Sequence, residues 1–197
     1  GDVLIEKAHT EIATVVAQWK HEGLKNTTIN RRIAALRRAC RLAFERWEWI
    51  EIPVHQKIKQ LSERNSQREV FLKPEQVTEI LSYINETERN FLLVMAYCGL
   101  RPWAELLPLI PNRFDGQQIH VVDTKTGKAR FVPVPEEIAE ILNCSLPWGT
   151  SYSQVRDQWE QARIQVGHPE WWIYDLRHTF ASWLAPSVPL TVIRDLL

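Results

Sequence analysis

The chain has 197 residues, 45% of them hydrophobic, so it is long enough for one or two ordinary domains with a buried core. Nothing in it is long and apolar enough to cross a bilayer, and the N-terminus does not have the layout of a signal peptide, so we expect a cytoplasmic protein. Cys40, Cys98 and Cys144 are widely spaced and form no CxxC pattern, which predicts reduced core residues without a disulfide or metal role.

The formal net charge of zero hides an asymmetry along the sequence. Residues 1–68 contain 13 Lys and Arg against 8 Asp and Glu, whereas residues 69–197 contain 11 against 16. A protein that holds DNA with its N-terminal part has this pattern. Two unrelated domains would show it as well, so composition leaves both interpretations open.

Two helices are predicted in the first 50 residues. The first covers about 5–22 and stops before Gly23. The second begins after the capping residues Asn26-Thr27-Thr28 and continues to about Trp49. Its apolar side chains fall in one narrow arc, which predicts a buried stripe: Ile29, Ile33, Leu36, Cys40, Phe44 and Trp47.

The rest of the second helix is strongly basic. No acidic residue interrupts it between Asn30 and Phe44, although a solvated face usually mixes charges of both signs. Phosphate groups along a nucleic acid would relieve the repulsion among its arginines. We therefore predict contact with DNA or RNA, a solvated face being the alternative, for the arginines that precede Glu45: Arg31, Arg32, Arg37, Arg38 and Arg41.

A polar segment, residues 63–70, is predicted to link this part to the remainder, because it has almost nothing to bury and lies where the charge balance changes. The predicted domains are therefore 1–62 and 71–197. Beyond the linker the pattern predicts a mainly α fold with one small antiparallel β-sheet. The predicted elements are helices from Lys73-Pro74 and up to Gly99, strands at 118–122 and 129–134, and helices at 136–143, 151–166, 176–184 and 189–197.

Four segments then occur in the order found in one family of enzymes. They are Cys98-Gly99-Leu100-Arg101 with Glu105-Leu106, the turn from Asp123 to Pro133, the run Tyr174-Asp175-Leu176-Arg177-His178-Thr179-Phe180-Ala181-Ser182, and the segment from Val192 to Leu197. Each is weak alone, but their order and spacing make the joint match specific. Together they resemble the tyrosine recombinases of the phage-integrase family, and the resemblance covers nearly the whole chain.

The resemblance implies a helical core-binding domain and a recombinase-like catalytic domain that close around double-stranded DNA. It implies a site-specific recombinase or integrase of a mobile element that cuts and rejoins DNA through a 3′-phosphotyrosyl intermediate. No metal or other cofactor is expected, because the covalent bond keeps the phosphodiester energy. A homotetramer on DNA is implied, with a monomer possible for these residues alone, in a nucleoid-associated protein of a prokaryote or phage.

The resemblance also implies which side chains act on the phosphate. Arg101 and Arg177 would clamp its oxygens, since a planar guanidinium offers two parallel hydrogen bonds and stays charged. From the residues alone, Arg101 could instead bind helix-end carbonyls, and Arg177 could form a surface ion pair with Asp175 or another acid. Glu105 would hold Arg101 in place.

The turn between the predicted strands carries the remaining cations of the motif. Lys125 matches the family's catalytic lysine and would protonate the leaving 5′ oxygen, with Lys128 as the second choice. An ordinary solvated turn lysine is the alternative for both. Lys128 and Arg130 are also predicted to contact DNA.

The sequence departs from the family pattern at three places. Tyr174 stands where a histidine is usual, and we interpret His178, one residue beyond Arg177, as a buried histidine that does not replace it. One extra residue between Arg101 and Glu105 would rotate Glu105 by about 100° on a helix. No tyrosine follows Arg177, so these 197 residues alone are expected not to cleave DNA.

Two other functions fit the same features. A DNA-binding module without catalysis would occupy recombination sites, and the altered Arg101–Glu105 spacing together with Tyr174 favours it slightly. A type IB topoisomerase-like enzyme would share the chemistry but relax supercoiled DNA as a monomer.

Overall fold

The computed structural model describes residues 5–63, 70–122 and 129–197, and the chain divides into two compact units, Gly1–Arg68 and Glu69–Leu197. The predicted class is confirmed: the described residues are mainly helical with a small antiparallel sheet. None of their helices has the length and apolarity needed to span a membrane. The elements are α1 (Ala8–His21), α2 (Asn26–Glu45), α3 (Val54–Lys57), α4 (Pro74–Leu81), α5 (Glu86–Cys98), β1 (Gln118–Val121), β2 (Arg130–Pro133), α6 (Glu136–Ser145), α7 (Tyr152–Gln165), α8 (Asp175–Leu184) and α9 (Leu190–Leu196).

The first unit has its core between α2, α1 and α3. Ile29, Ile33 and Cys40 of the predicted stripe of α2 are buried, but α2 ends at Glu45 and Glu48 adopts a positive φ of 52°. Trp47 therefore lies beyond the helix, 43% exposed and packed against Trp49, so its prediction as a core residue is wrong. The buried apolar residues are Ile29, Ile33, Cys40, Ala43, Ile50, Val54 and Ile58.

The second unit is built around α5, which packs against α6, α7 and α8. Its sequence is apolar on several faces, as expected of a helix enclosed by neighbours. The start of α4 follows the predicted signal, with Pro74 in the first turn and Gln76 Oε1 accepting from the Lys73 amide at 2.8 Å. Strands β1 and β2 pair in antiparallel register, and they bury Ile119 against Val132.

The cysteines are only partly as predicted. Cys40 and Cys98 are buried, and burial raises the pKa of the Cys98 thiol to about 12. Cys144 is exposed near the end of α6, so its prediction as a core residue is wrong. Its neighbours Ile138, Ala139 and Leu142 are the residues that α6 turns inward.

Gly99 ends α5 in the left-handed region, with a φ of 63°. A side chain is strained in that conformation, and a Cβ on Gly99 would overlap the ring of Phe180 on α8. Glycine therefore lets α5 and α8 approach closely. This contact matters for the site, because Arg101 lies just after α5 and Arg177 lies on α8.

Gly99→Ala is expected to lower the free energy of unfolding of the second unit by about 3 kcal/mol, from a strained φ together with overpacking against Phe180. Gly23→Ala is the matched control, because Gly23 has a φ of 80° but open space around it. Gly23→Ala should lower the free energy of unfolding of the first unit by only about 1 kcal/mol. Urea denaturation followed by circular dichroism measures both, and equal losses would contradict the Phe180 contact.

Candidate active site

Glu105 lies at the centre of a cluster of arginines. Its side chain is only 1% exposed, and its carboxylate contacts three guanidinium groups. Arg130 donates through Nη1 to Oε1 at 2.9 Å and through Nη2 to Oε2 at 2.8 Å. Arg101 donates through Nη1 to Oε1, and Arg177 Nη1 lies 3.4 Å from Oε2. Three segments that are distant in sequence therefore converge on one carboxylate.

The extra residue between Arg101 and Glu105 is absorbed by the backbone. Residues Pro102–Leu106 form a π-helical turn, in which Leu106 N donates to Arg101 O at 2.9 Å and Leu107 N donates to Pro102 O at 2.8 Å. These bonds span five residues instead of the four of an α-helix, so the wider turn accommodates one more residue. The expected rotation of Glu105 away from Arg101 is therefore wrong. Oε2 of Glu105 also accepts from the Arg101 backbone N–H at 2.8 Å.

Arg177 is buried near the start of α8, with 7% of its side chain exposed. Nη1 also donates to the Gly99 carbonyl, and Nη2 donates to the Leu197 carbonyl. The alternative of a surface ion pair with Asp175 is wrong, because Arg177 is not at the surface and Asp175 Oδ2 accepts from the Trp172 amide at 2.7 Å. Burial, and then the charge of Arg101, lowers the pKa of Arg177.

Arg130 is predicted to contact DNA, but its side chain is mostly buried. Only 11% of its side chain is exposed, its guanidinium is paired with Glu105, and Nε donates to the Leu196 carbonyl at 2.8 Å. A signal for this was present in the sequence. Arg130 lies two residues before the buried Val132 on the same strand, and strand residues two apart share a face.

The cluster carries an excess of positive charge. Within it, three guanidinium groups face one carboxylate, which leaves an excess of two positive charges. Burial opposes ionisation of Glu105, but hydrogen bonds and charges from Arg130 and Arg101 outweigh it, so its pKa lies below its usual value. The side chain of Arg101 is the most exposed of the three, at 28%, and an oxyanion can approach the cluster there.

Tyr174 lies half-buried, one helical turn before Arg177, at the start of α8. Its ring centroid is 6.3 Å from that of Trp103 and 5.8 Å from that of His178. His178 itself is exposed, so its interpretation as a buried histidine is wrong. It follows Arg177 by one residue and therefore occupies a different face of α8.

Lys125 and Lys128 lie in residues 123–128, outside the described part of the chain, so their roles stay predictions. The strands on either side of this segment are described. Arg130, the first residue of β2, reaches the cluster and pairs in register with Val121 of β1.

The predicted basic face is the exposed side of α2. Among its five arginines only Arg37 is half-buried, with Nε donating to the His55 carbonyl at 3.3 Å, and the others are exposed. Arg37, Arg38 and Arg41 line a concavity of about 230 Å³. Arg32 instead lies 4.9 Å from the ring centroid of Trp19. The structure thus brings together three of the arginines in one recess.

No protein-family model and no curated protein sequence matches the chain. Solved structures do match. The integrase of the Tn1549 transposon in complex with circular intermediate DNA superposes with a TM-score of 0.70 at 18% identity, covering 99% of this chain and 77% of that one. The chain has the tyrosine-recombinase fold.

Two further structures support this assignment. A lambda integrase tetramer bound to a Holliday junction gives a TM-score of 0.77 at 17% identity over 96% of this chain and 63% of that one. The catalytic domain of bacteriophage HP1 integrase gives 0.52 at 22% identity over 66% of this chain and 80% of that one. At these sequence identities the comparisons establish the fold alone.

Within the tyrosine-recombinase fold, three of the motifs that carried the resemblance meet at Glu105. Arg101 comes from the segment after α5, Arg130 comes from β2, and Arg177 comes from α8. In residues 5–63, 70–122 and 129–197, no group of three or more His, Cys, Asp or Glu side chains is arranged to hold a metal ion.

Glu105→Gln is expected to lower the free energy of unfolding by about 3 kcal/mol at neutral pH, because it leaves buried guanidinium groups without their counter-charge. Glu88→Gln is the matched control. Glu88 is similarly buried but accepts from the uncharged side chains of Thr150 and Gln158, both at 2.8 Å, so the loss on its replacement should be smaller.

The pH dependence of stability should identify the same carboxylate. Because the folded-state pKa of Glu105 lies below the unfolded value of about 4.3, its contribution is complete above that value and is lost as the pH falls through the folded-state pKa. The wild-type stability should therefore decline below about pH 4 more steeply than that of Glu105→Gln. Parallel denaturation curves for the two proteins across this range would contradict the cluster.

Proposed function

We propose that this protein is a site-specific DNA recombinase that integrates or excises a mobile element through a 3′-phosphotyrosyl intermediate. The observation that carries the proposal is the guanidinium cluster around Glu105 within a tyrosine-recombinase fold. Phosphoryl transfer builds negative charge on the non-bridging oxygens, and fixed cationic donors are the main catalytic requirement. An excess of two positive charges beside a partly open arginine meets that requirement.

In the proposed mechanism each arginine has a distinct part. Arg101 binds a non-bridging oxygen first, because its side chain is the most exposed. Arg177 binds from within the unit, where burial strengthens its interaction with a developing charge. Glu105 and Arg130 orient these two groups without touching DNA. Such fixed positioning avoids reorganisation when the transition state forms.

Two more side chains complete the proposed chemistry. Lys125 protonates the leaving 5′ oxygen as the general acid. Tyr174 takes the position of the family's histidine and donates a hydrogen bond from its phenol O–H to the phosphate. The nucleophile is a tyrosine that follows Arg177 in chain order, and the tyrosines of these 197 residues all precede it: Tyr83, Tyr97, Tyr152 and Tyr174.

The partner in this proposal is double-stranded DNA. The solved neighbours include an integrase with circular intermediate DNA and a lambda integrase tetramer on a Holliday junction. We extend these properties to this chain as binding to duplex DNA and assembly as a homotetramer on it. The arginine-lined recess of α2 would hold backbone phosphates in the first unit.

Arg101→Ala and Arg177→Ala should each reduce strand cleavage by at least about 100-fold, because each removes a donor to the transition state. The assay uses the full polypeptide that the gene encodes and a pool of nicked duplexes with a randomised core. Covalent adducts are recovered on a denaturing gel. Arg194→Ala is the control, since Arg194 is 74% exposed and paired with Asp195.

The outcomes separate the candidate functions. Adducts with the wild type and the control, and their loss in both cluster variants, support the recombinase. Binding without any adduct favours a DNA-binding module, and relaxation of any supercoiled plasmid by a monomer favours a topoisomerase. Retained cleavage in either cluster variant would overturn the assignment of these arginines.

Combined charge reversal at Arg37, Arg38 and Arg41 should weaken DNA binding and make it less sensitive to salt. Loss of three phosphate contacts reduces the slope of log K against log salt concentration by about 3. The measurement is fluorescence anisotropy with a labelled duplex at several salt concentrations. Arg194→Glu should leave the slope unchanged, and an unchanged slope in the triple variant would mean that this recess does not hold phosphates.

A further inference from the structure

The unit Glu69–Leu197 also contains a concavity, whose walls are mainly aromatic. Its volume is about 400 Å³, against about 230 Å³ for the arginine-lined recess of α2. Trp159 is almost fully buried, whereas Trp103 and Trp172 are 52% and 57% exposed. The Trp103 ring lies edge-on to Tyr152, with centroids 4.7 Å apart. The apolar and aromatic lining consists of Trp103, Tyr152, Trp159, Trp172, Ile173 and Tyr174.

This aromatic recess shares two of its segments with the guanidinium cluster, and α7 supplies the rest of its lining. Trp103 belongs to the π-helical turn that positions Arg101 and Glu105. Tyr174 immediately precedes α8, one turn before Arg177. The recess therefore borders the segments that carry Arg101 and Arg177.

The charges around the aromatic recess favour a neutral occupant. Its two arginines are already paired: Arg156 with Asp157 at 2.9 Å, and Arg163 with Glu160. Arg163 also donates to the Trp171 carbonyl at 3.1 Å. Since these cations are compensated, the recess does not provide a second phosphate site. Exposed indole and phenol rings instead offer faces and edges for a flat ring to stack against.

We propose that the aromatic recess binds one unpaired nucleobase of the strand that carries the reacting phosphate. The proposal rests on the recombinase function, because it takes DNA as the ligand. A strand that changes partners must leave its old complement before it pairs with the new one. Unstacking and unpairing a base costs free energy, and stacking on aromatic side chains returns part of it. Trp103 would therefore favour the unpaired state next to the cleavage point.

The test compares two short duplexes of the same sequence, one fully paired and one with a central bubble that contains 2-aminopurine. Anisotropy gives the affinity of the 197-residue protein for each, and 2-aminopurine emission reports stacking. The wild type should prefer the bubble by about tenfold and quench its emission. Trp103→Ala should lose the preference and the quenching, and Trp103→Phe should retain both in part.

The control is Trp49→Ala, because Trp49 is 68% exposed but lies in the first unit, and it should keep the wild-type ratio of the two affinities. Circular dichroism checks that each variant is folded. If the wild type binds the paired duplex but has no preference for the bubble, the aromatic recess does not bind bases and the recombinase proposal stands.

Two further results would also overturn the base-binding proposal. If the wild type binds neither duplex, the base-binding proposal and the recombinase proposal are both wrong. If Trp103→Ala changes only self-association in sedimentation and leaves the bubble preference intact, the recess contacts a second copy of the chain instead of a base.

Discussion

The candidate site of the second unit depends on one buried carboxylate that holds three guanidinium groups together. Burying like charges side by side is unfavourable, and Glu105 makes it possible by contacting all three. Because one negative charge only partly compensates three positive charges, the cluster remains a site of strong positive potential. A DNA phosphate would supply the missing charge, so the same interaction that holds the fold also prepares it for an anion.

Two irregular backbone positions make this convergence possible. Gly99 ends α5 in a left-handed conformation that accommodates Phe180 of α8, and its carbonyl accepts a hydrogen bond from Arg177. The π-helical turn from Pro102 to Leu106 then returns Glu105 to face Arg101. Such π-helical turns are rare in proteins, and those that occur are often found at functional sites. The aromatic recess uses the same turn through Trp103, so phosphate and base recognition would share one support.

Periodicity and turn chemistry predicted the helices, the two strands and the basic face of α2, because these depend on local sequence. The motifs predicted Arg101 and Arg177 as partners. What failed depends on distant contacts or on backbone detail. Trp47 is exposed because α2 ends early, and the π-helical turn cannot be deduced from a spacing counted on an α-helix. Arg130 is predicted to contact DNA, although its spacing from Val132 places it on the buried face of β2, where it pairs with Glu105.

In the proposed mechanism, Arg101 and Arg177 bind one DNA phosphate together. Nuclear magnetic resonance of the arginine Nε–Hε groups tests this joint binding directly, with a duplex titrated into protein labelled at arginine. Both signals should shift with one shared dissociation constant, and Arg101→Lys should abolish the response of Arg177. Signals of Arg101 and Arg177 that stay unchanged while those of the α2 arginines shift would contradict it.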